Sequence, residues 1–177
     1  MKIAIRRAVA DDLRPLAALA RKTYVDAFGH SFRAPDLRAH LEKNLADDRF
    51  SEFLREDVIL VAEREGDMIG FTQIGSAKAG NFDYAIARGD QELRRIYVLK
   101  SFQRNGVGGA LIEAALQLPA SLEAPRVFLE VWEENLAARR FYERRDFEAC
   151  GKRAFIPDSG VATGFELILV RRKRAKP

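Results

Sequence analysis

Residues 93–116 read LRRIYVLKSFQRNGVGGALIEAAL, a stretch able to hold a phosphate. An apolar strand breaks at Ser101 to Asn105. Gly106, Gly108 and Gly109 then lead into a helix with apolar residues at Leu111, Ile112, Ala115 and Leu116. The first turn of a helix carries backbone N–H groups with no internal partner, and these point at whatever lies beyond the helix end. Glycine removes the Cβ atoms that would hold a phosphate off. A second group follows in VFLEVWEENLAARRFYERRDF, from Val127 onward. An apolar strand precedes Asn135, which can cap a helix. Tyr142 stands seven residues later on the same helix face, so an amide and a phenol can serve one elongated ligand.

Two familiar phosphate loops do not fit. No Lys-Ser or Lys-Thr follows Gly106 or Gly108, as a Walker-type loop requires, and the third glycine of a dinucleotide fingerprint is missing. The run Gln103-Arg104-Asn105-Gly106-Val107-Gly108 instead resembles the Q/R-x-x-G-x-G/A pyrophosphate loop of the GNAT acetyltransferase superfamily. It sits after a strand and before an apolar helix, as in that family. Residues 127–153 resemble the family's second block: a strand, an Asn at a helix start, and a Tyr two turns later before a tight corner. Asp146 stands where the family usually has Gly. The resemblance follows the element order of the whole chain and is strong over residues 92–153.

The resemblance implies a single acetyltransferase domain over residues 1–177. Its fold would be α/β, a mixed, mostly antiparallel sheet flanked by helices, with a central parallel strand pair splayed into a V-shaped coenzyme site. Acetyl-coenzyme A would be the cosubstrate, and no metal is expected. Backbone of Ile96, Tyr97 and Val98 would pair with the pantetheine arm like an extra strand. The N–H groups of Arg104, Asn105, Gly106, Val107, Gly108 and Gly109 would hold the pyrophosphate beside Gln103, with a charge-assisted contact from Arg104. Asn135 would bond the pantetheine arm.

Direct acetyl transfer from a thioester to an amine asks three things of such a site. The amine must lose a proton, the carbonyl oxygen must be stabilised as it becomes negative, and the departing thiolate must be stabilised. A backbone N–H near Val98 suits the second task. Tyr142 suits the third. A phenol of pKa about 10 is a weaker acid than a thiol of about 8.5, so full proton donation is uphill by roughly 2 kcal/mol and a hydrogen bond to sulfur is the more secure form of help. For the first task Glu92 opens the central strand, on the face of Arg94, Ile96 and Val98. It could take the proton through water, bind an ammonium, or pair with Arg94 or Arg95. His30, after a helix end, and His40, at an apparent solvent position of a helix, are chemical alternatives.

The elements that must position these residues follow from periodicity. A strand at Ile3 and Ile5 is followed by Asp11 and Asp12 as cap and first-turn acids. A helical stripe then runs from Leu13 to Phe28, and a second helix opens at Pro35. A short helix over residues 49–55 completes a cover for one sheet edge. Residues 58–63 and 68–75 read as a hairpin around Arg64–Asp67. Residues 76–89 read as a loop carrying Phe82, Asp83 and Tyr84. Pro119, Ser121 and Pro125 mark a connection before the strand at 127–132. The helix opened by Asn135 runs to Arg145. A strand begins at 147–150, and residues 165–170 close the chain as an exposed strand able to pair edge to edge in a homodimer.

Composition narrows the class further. The chain has 177 residues, 47% hydrophobic and 32% charged, with a formal charge of +4. That is soluble globular composition. The basic tail, residues 171–177, reads as a solvated terminus, and no basic stripe interleaved with aromatics suggests nucleic acid. One cysteine, Cys150, excludes an internal disulfide. No signal peptide or bilayer-length apolar run is evident, so a cytoplasmic protein without membrane partners is expected. Both blocks, with Thr23-Tyr24, Phe28 and Phe155-Ile156-Pro157-Asp158, resemble bacterial polyamine N-acetyltransferases. That implies a small-molecule amine acceptor, with Asp26, Asp83, Glu92 and Asp158 as candidate acids for its channel. A protein N-terminus or lysine, an amino sugar, or a non-catalytic acyl-coenzyme A-binding regulatory role remain the alternatives.

Overall fold

The computed structural model describes residues 2–78, 86–155 and 164–173. Phe82, Asp83, Tyr84, the segment 156–163 with Asp158, and the last four residues of the basic tail lie outside them. The elements in order are β1 (Ala4–Arg7), α1 (Leu13–Phe28), α2 (Ala34–Asn44), α3 (Asp47–Glu56), β2 (Val58–Arg64), β3 (Asp67–Ser76), β4 (Gln91–Val98), α4 (Val107–Leu116), α5 (Pro119–Glu123), β5 (Arg126–Trp132), α6 (Leu136–Glu143), β6 (Glu148–Phe155) and β7 (Gly164–Arg172). Seven strands form one sheet in the order β1-β2-β3-β4-β5-β7-β6. β4 and β5 pair in parallel, while β1–β2, β2–β3, β5–β7 and β6–β7 are antiparallel. The mixed, mostly antiparallel sheet with one parallel pair is as expected. By compactness the chain divides into two units, residues 1–74 with 95–117, and residues 75–94 with 118–177.

In the first unit, Leu16, Leu19, Ala20, Thr23 and Tyr24 recur at helical spacing and form the buried stripe of α1. With Phe50 of α3 they pack on Ile59 and Val61 of β2 and Phe71 of β3. Those strand residues alternate along their strands, so the helices cover a sheet face rather than the edge the sequence suggested. Burial of a ring such as Phe50 or Phe71, both without solvent exposure, contributes about 2–3 kcal/mol. The β2–β3 hairpin turns through Glu65 and Gly66, both left-handed, at φ 55° and 91°. Such a turn matches the twist of the flanking strands. Asp12 does not cap α1 with its side chain. Its carboxylate accepts from Arg6 at 2.6 and 2.8 Å and from the Val9 N–H at 2.8 Å, and Arg6 also reaches Glu63 at 2.6 Å. The Arg6 hydrogen bond, outweighing burial, holds the Asp12 carboxyl below the usual carboxylate range.

In the second unit, β7 lies between β5 and β6 and is hydrogen-bonded on both sides. This corrects the reading of residues 165–170 as a free edge: the last two strands form a hairpin that returns β7 beside β5 and leaves β6 outermost. Phe128, Ile168 and Val170 are buried together against Ala77, Ile86 and Cys150. Asp90, buried, ties the end of the preceding loop to β5 through Arg126 at 2.5 Å. Residues 119–123, read from sequence as a connection, form the short helix α5 with proline in its first turn, where no backbone donor is lost. Helix α6 stops at Glu143, short of Arg145.

Candidate active site

β4 delivers the chain to the glycine turn, and its alternation decides what it can offer. The Leu99 N–H donates to Ile69 O of β3 at 2.9 Å. In an antiparallel pair every second residue faces the neighbour, so Tyr97 and Arg95 also turn to β3. The Thr72 hydroxyl donating to Arg95 O at 2.9 Å agrees. Ile96 and Val98 therefore direct their N–H and C=O groups away from β3, and Val98 O accepts from the Gln103 side chain at 3.1 Å. Gly70 lets β3 approach this end of β4 closely. A Cβ there would meet Tyr97 O at 2.8 Å, Val98 Cγ2 at 3.2 Å and Leu111 Cδ1 of α4 at 3.3 Å.

Past Val98, one turn of 3-10 helix leads to Gln103, Arg104, Asn105 and Gly106, all exposed. Arg104 and Gly106 are left-handed, at φ 64° and 83°, and Gly106 is the N-cap of α4. The chain thus bends sharply enough to present the first-turn N–H groups of Val107, Gly108 and Gly109 outward. Nothing stands within 4 Å of a Cβ placed on Gly106. Val107 is buried and anchors the turn, together with Leu111, Ile112, Ala115 and Leu116. Outward N–H groups, an open approach and an exposed guanidinium suit an anionic pyrophosphate. The Arg104 left-handed backbone, rare for a residue with a side chain, is local strain of the kind found where a loop is held for a ligand.

The second unit carries the other predicted residues. Asn135 is exposed and caps α6, its Oδ1 accepting the Ala138 N–H at 3.0 Å. Tyr142 is the buried residue of α6, its ring edge-on to Phe141 and Phe147 at 5.2 and 5.9 Å between centroids. Its carbonyl accepts the Arg145 and Phe147 N–H groups, closing the corner in which Asp146 is left-handed at φ 64°. A family glycine at that corner answers the same conformational demand. Glu92 is buried and salt-bridged to Arg94, which also donates to Ser76 O at 2.7 Å. The ion-pair alternative for Glu92 is thus what the geometry displays.

Other sequence candidates scatter. His40 is not a solvent position: its ring stacks on Tyr24 at 4.5 Å and its Nδ1 lies 3.2 Å from the Asn44 amide. His30 is exposed beyond the end of α1. Asp26 lines a shallow surface cavity with Lys22, Lys100, Leu99 and Ser101, so two cations surround it. Among the described residues no group of three or more His, Cys, Asp or Glu could hold a metal, and no helix is long and apolar enough to cross a membrane.

One residue was missed. Glu130, in the middle of β5, is mostly buried. Its Oε2 accepts from Arg153 of β6 at 2.7 Å, while its buried Oε1 makes no hydrogen bond among the described residues. Burial, then the charge of Glu166, raises its pKa to about 8 against the pull of Arg153, with Glu92 raising it further. The sequence signal was a carboxylate inside VFLEVW: Val127, Leu129 and Val131 fill one strand face, and Glu130 interrupts the other between Phe128 and Trp132.

The comparisons agree with this layout. The model of the acetyltransferase (GNAT) family matches residues 19–147. An uncharacterized N-acetyltransferase of Mycobacterium tuberculosis is 30% identical over 149 residues, covering 81% of this chain and 88% of its own. The spermine/spermidine N(1)-acetyltransferase of Bacillus subtilis is 30% identical over 92 residues, 51% of this chain and 59% of its own. The crystal structure of the PaiA N-acetyltransferase from Thermoplasma acidophilum in complex with coenzyme A superposes with a TM-score of 0.74 at 17% identity, covering 97% of this chain and 99% of that one. With a strand, a left-handed glycine turn and an outward helix start inside the matched segment, the chain belongs to the GNAT family of acetyltransferases.

Proposed function

We propose that the protein moves an acetyl group from acetyl-coenzyme A to a primary amine by direct attack in a ternary complex. The observation that supports this is the turn through Gly106, which caps the start of α4 one 3-10 turn and a short loop after a strand end whose Ile96 and Val98 backbone faces away from β3. Acetyl-coenzyme A supplies an activated thioester. Residues 104–109 hold its pyrophosphate, the Ile96–Val98 edge and Asn135 hold its pantetheine, and the Val98 N–H faces the carbonyl oxygen as charge develops there. Tyr142 offers its hydroxyl to the departing sulfur. Glu92, bound to Arg94, contributes charge rather than a free base.

For the acceptor we propose a small amine, with polyamines first. The similarity to the Bacillus subtilis spermine/spermidine enzyme supports that choice over about half of the chain. Thiol release measured with a panel of polyamines, amino acids, amino sugars and peptide N-termini tests both levels. Turnover on any amine upholds acetyl transfer, and the preferred amine sets the substrate. Coenzyme binding without turnover on any of them makes the chain a binding domain instead.

A further inference from the structure

We infer that Thr72 of β3 is a positioning residue whose hydroxyl aims the Ile96 N–H at the pantetheine arm; this rests on the acetyl-coenzyme A reading above. Thr72 has no solvent exposure and sits among buried Ile69, Phe71 and Ile74, in a strand where valine would fill the same space without burying a hydroxyl. That hydroxyl donates to the Arg95 carbonyl of β4 at 2.9 Å. The Arg95 C=O and the Ile96 N–H belong to one planar trans peptide, so they point in opposite directions. Holding the carbonyl toward β3 therefore turns the N–H away from β3, the direction in which Val98 O also points.

A second contact grips the same residue. The Arg95 guanidinium donates to Gln73 Oε1 at 2.6 Å and lies over the Phe53 ring, 4.6 Å from its centroid. Gln73, fully buried, donates in turn to the buried Asp57 carboxylate at 2.6 Å. Thr72 and Gln73 are successive residues whose side chains leave opposite faces of β3. Between them they hold Arg95 by its carbonyl and by its side chain. Such anchoring matters here because the parallel ladder to β5 registers Gln91 and Glu92 and, among the described residues, nothing later in β4. Past Glu92 the strand depends on β3 for its alignment, and a tilted 95–96 peptide would swing its N–H off the ligand. A contact to the arm is made before and during transfer alike, so its aim governs coenzyme affinity rather than the chemical step.

The test crosses two variants. Thr72→Val keeps the volume and loses the hydroxyl; Thr72→Ser keeps the hydroxyl and loses a methyl group. Calorimetry at a temperature where both are folded should give Thr72→Val a Kd for coenzyme A about 3- to 10-fold above wild type. KM for acetyl-coenzyme A should rise alike with kcat near wild type, and Thr72→Ser should stay within about twofold on both. ADP, which carries the pyrophosphate without the arm, should bind all three proteins equally. Equal coenzyme A affinities overturn the inference. So does the reverse order, with Thr72→Ser impaired and Thr72→Val normal, which makes Thr72 a packing residue. Parallel loss of ADP and coenzyme A in Thr72→Val reports general damage and overturns it too. Wild type alone gives a readout should Thr72→Val fail to fold. Amide exchange should find the Ile96 N–H unprotected in the free protein and protected by coenzyme A, with the Leu99 N–H, bonded to Ile69 O, protected in both. Ile96 protected in the free protein, or unprotected in the complex, overturns the inference alone. Wild type that binds no coenzyme A overturns the coenzyme reading itself, and the inference falls with it.

Discussion

At the scale of single residues, Tyr142 and Arg104 test the proposed chemistry and the proposed coenzyme contact separately. Tyr142 is packed between Phe141 and Phe147, so its ring is structural whatever its hydroxyl does. Tyr142→Phe keeps the ring, and stability should stay within about 1 kcal/mol. If the hydroxyl donates to the departing thiolate, a charge-assisted hydrogen bond of about 1.5–3 kcal/mol disappears, and kcat falls by about 10- to 100-fold with KM for acetyl-coenzyme A little changed. Equal kcat in a folded variant removes Tyr142 from the chemistry. Arg104 is exposed and holds its left-handed backbone at the mouth of the glycine turn. Arg104→Ala should raise KM for acetyl-coenzyme A by about tenfold and leave kcat near wild type, since it removes a contact made equally in ground and transition states. A fall in kcat at unchanged KM would place Arg104 elsewhere in the mechanism.

At the scale of elements, the strand–turn–helix unit depends on the spacing that Gly70 permits between β3, the end of β4 and α4. A methyl group at Gly70 would press on Tyr97 O and Val98 of β4 and on Leu111 of α4 together. Gly70→Ala should therefore cost about 1–3 kcal/mol of stability. It should also weaken coenzyme A binding in calorimetry at a temperature where the variant is folded. A variant that melts and binds like wild type would show that the spacing has slack. This unit was legible in the sequence because its signals are local: alternation in the strand, glycines at the bend, a helical stripe after it. The same holds for Asn135 as a cap and for the β2–β3 turn. Glu130 was not legible in the same way. Its raised pKa comes from burial first and then from Glu166 and Glu92, against the pull of Arg153, all on other strands, and register between distant strands is not written in any one of them. β7 was misread for a related reason. Its apolar run looks alike as an edge or as an inner strand, and only the β6–β7 hairpin folding back beside β5 decides.

At the scale of the whole molecule, charge bears on which amine arrives. The chain carries a formal charge of +4 with pI about 9.4. The one surface acid of the acceptor candidates that the described residues include, Asp26, shares its cavity with Lys22 and Lys100. A far field of this sign repels a trication such as spermidine before any local contact forms, and salt screens that repulsion beyond about 10 Å at 0.1 M. Raising ionic strength from about 20 to about 200 mM should therefore raise kcat/KM for a polyamine relative to a monoamine, by no more than about threefold. Comparing the two slopes under steady-state conditions checks it. A polyamine rate that falls with salt would mean that surface carboxylates gather the cation after all, and the segments carrying Asp83 and Asp158 would be where to mutate next.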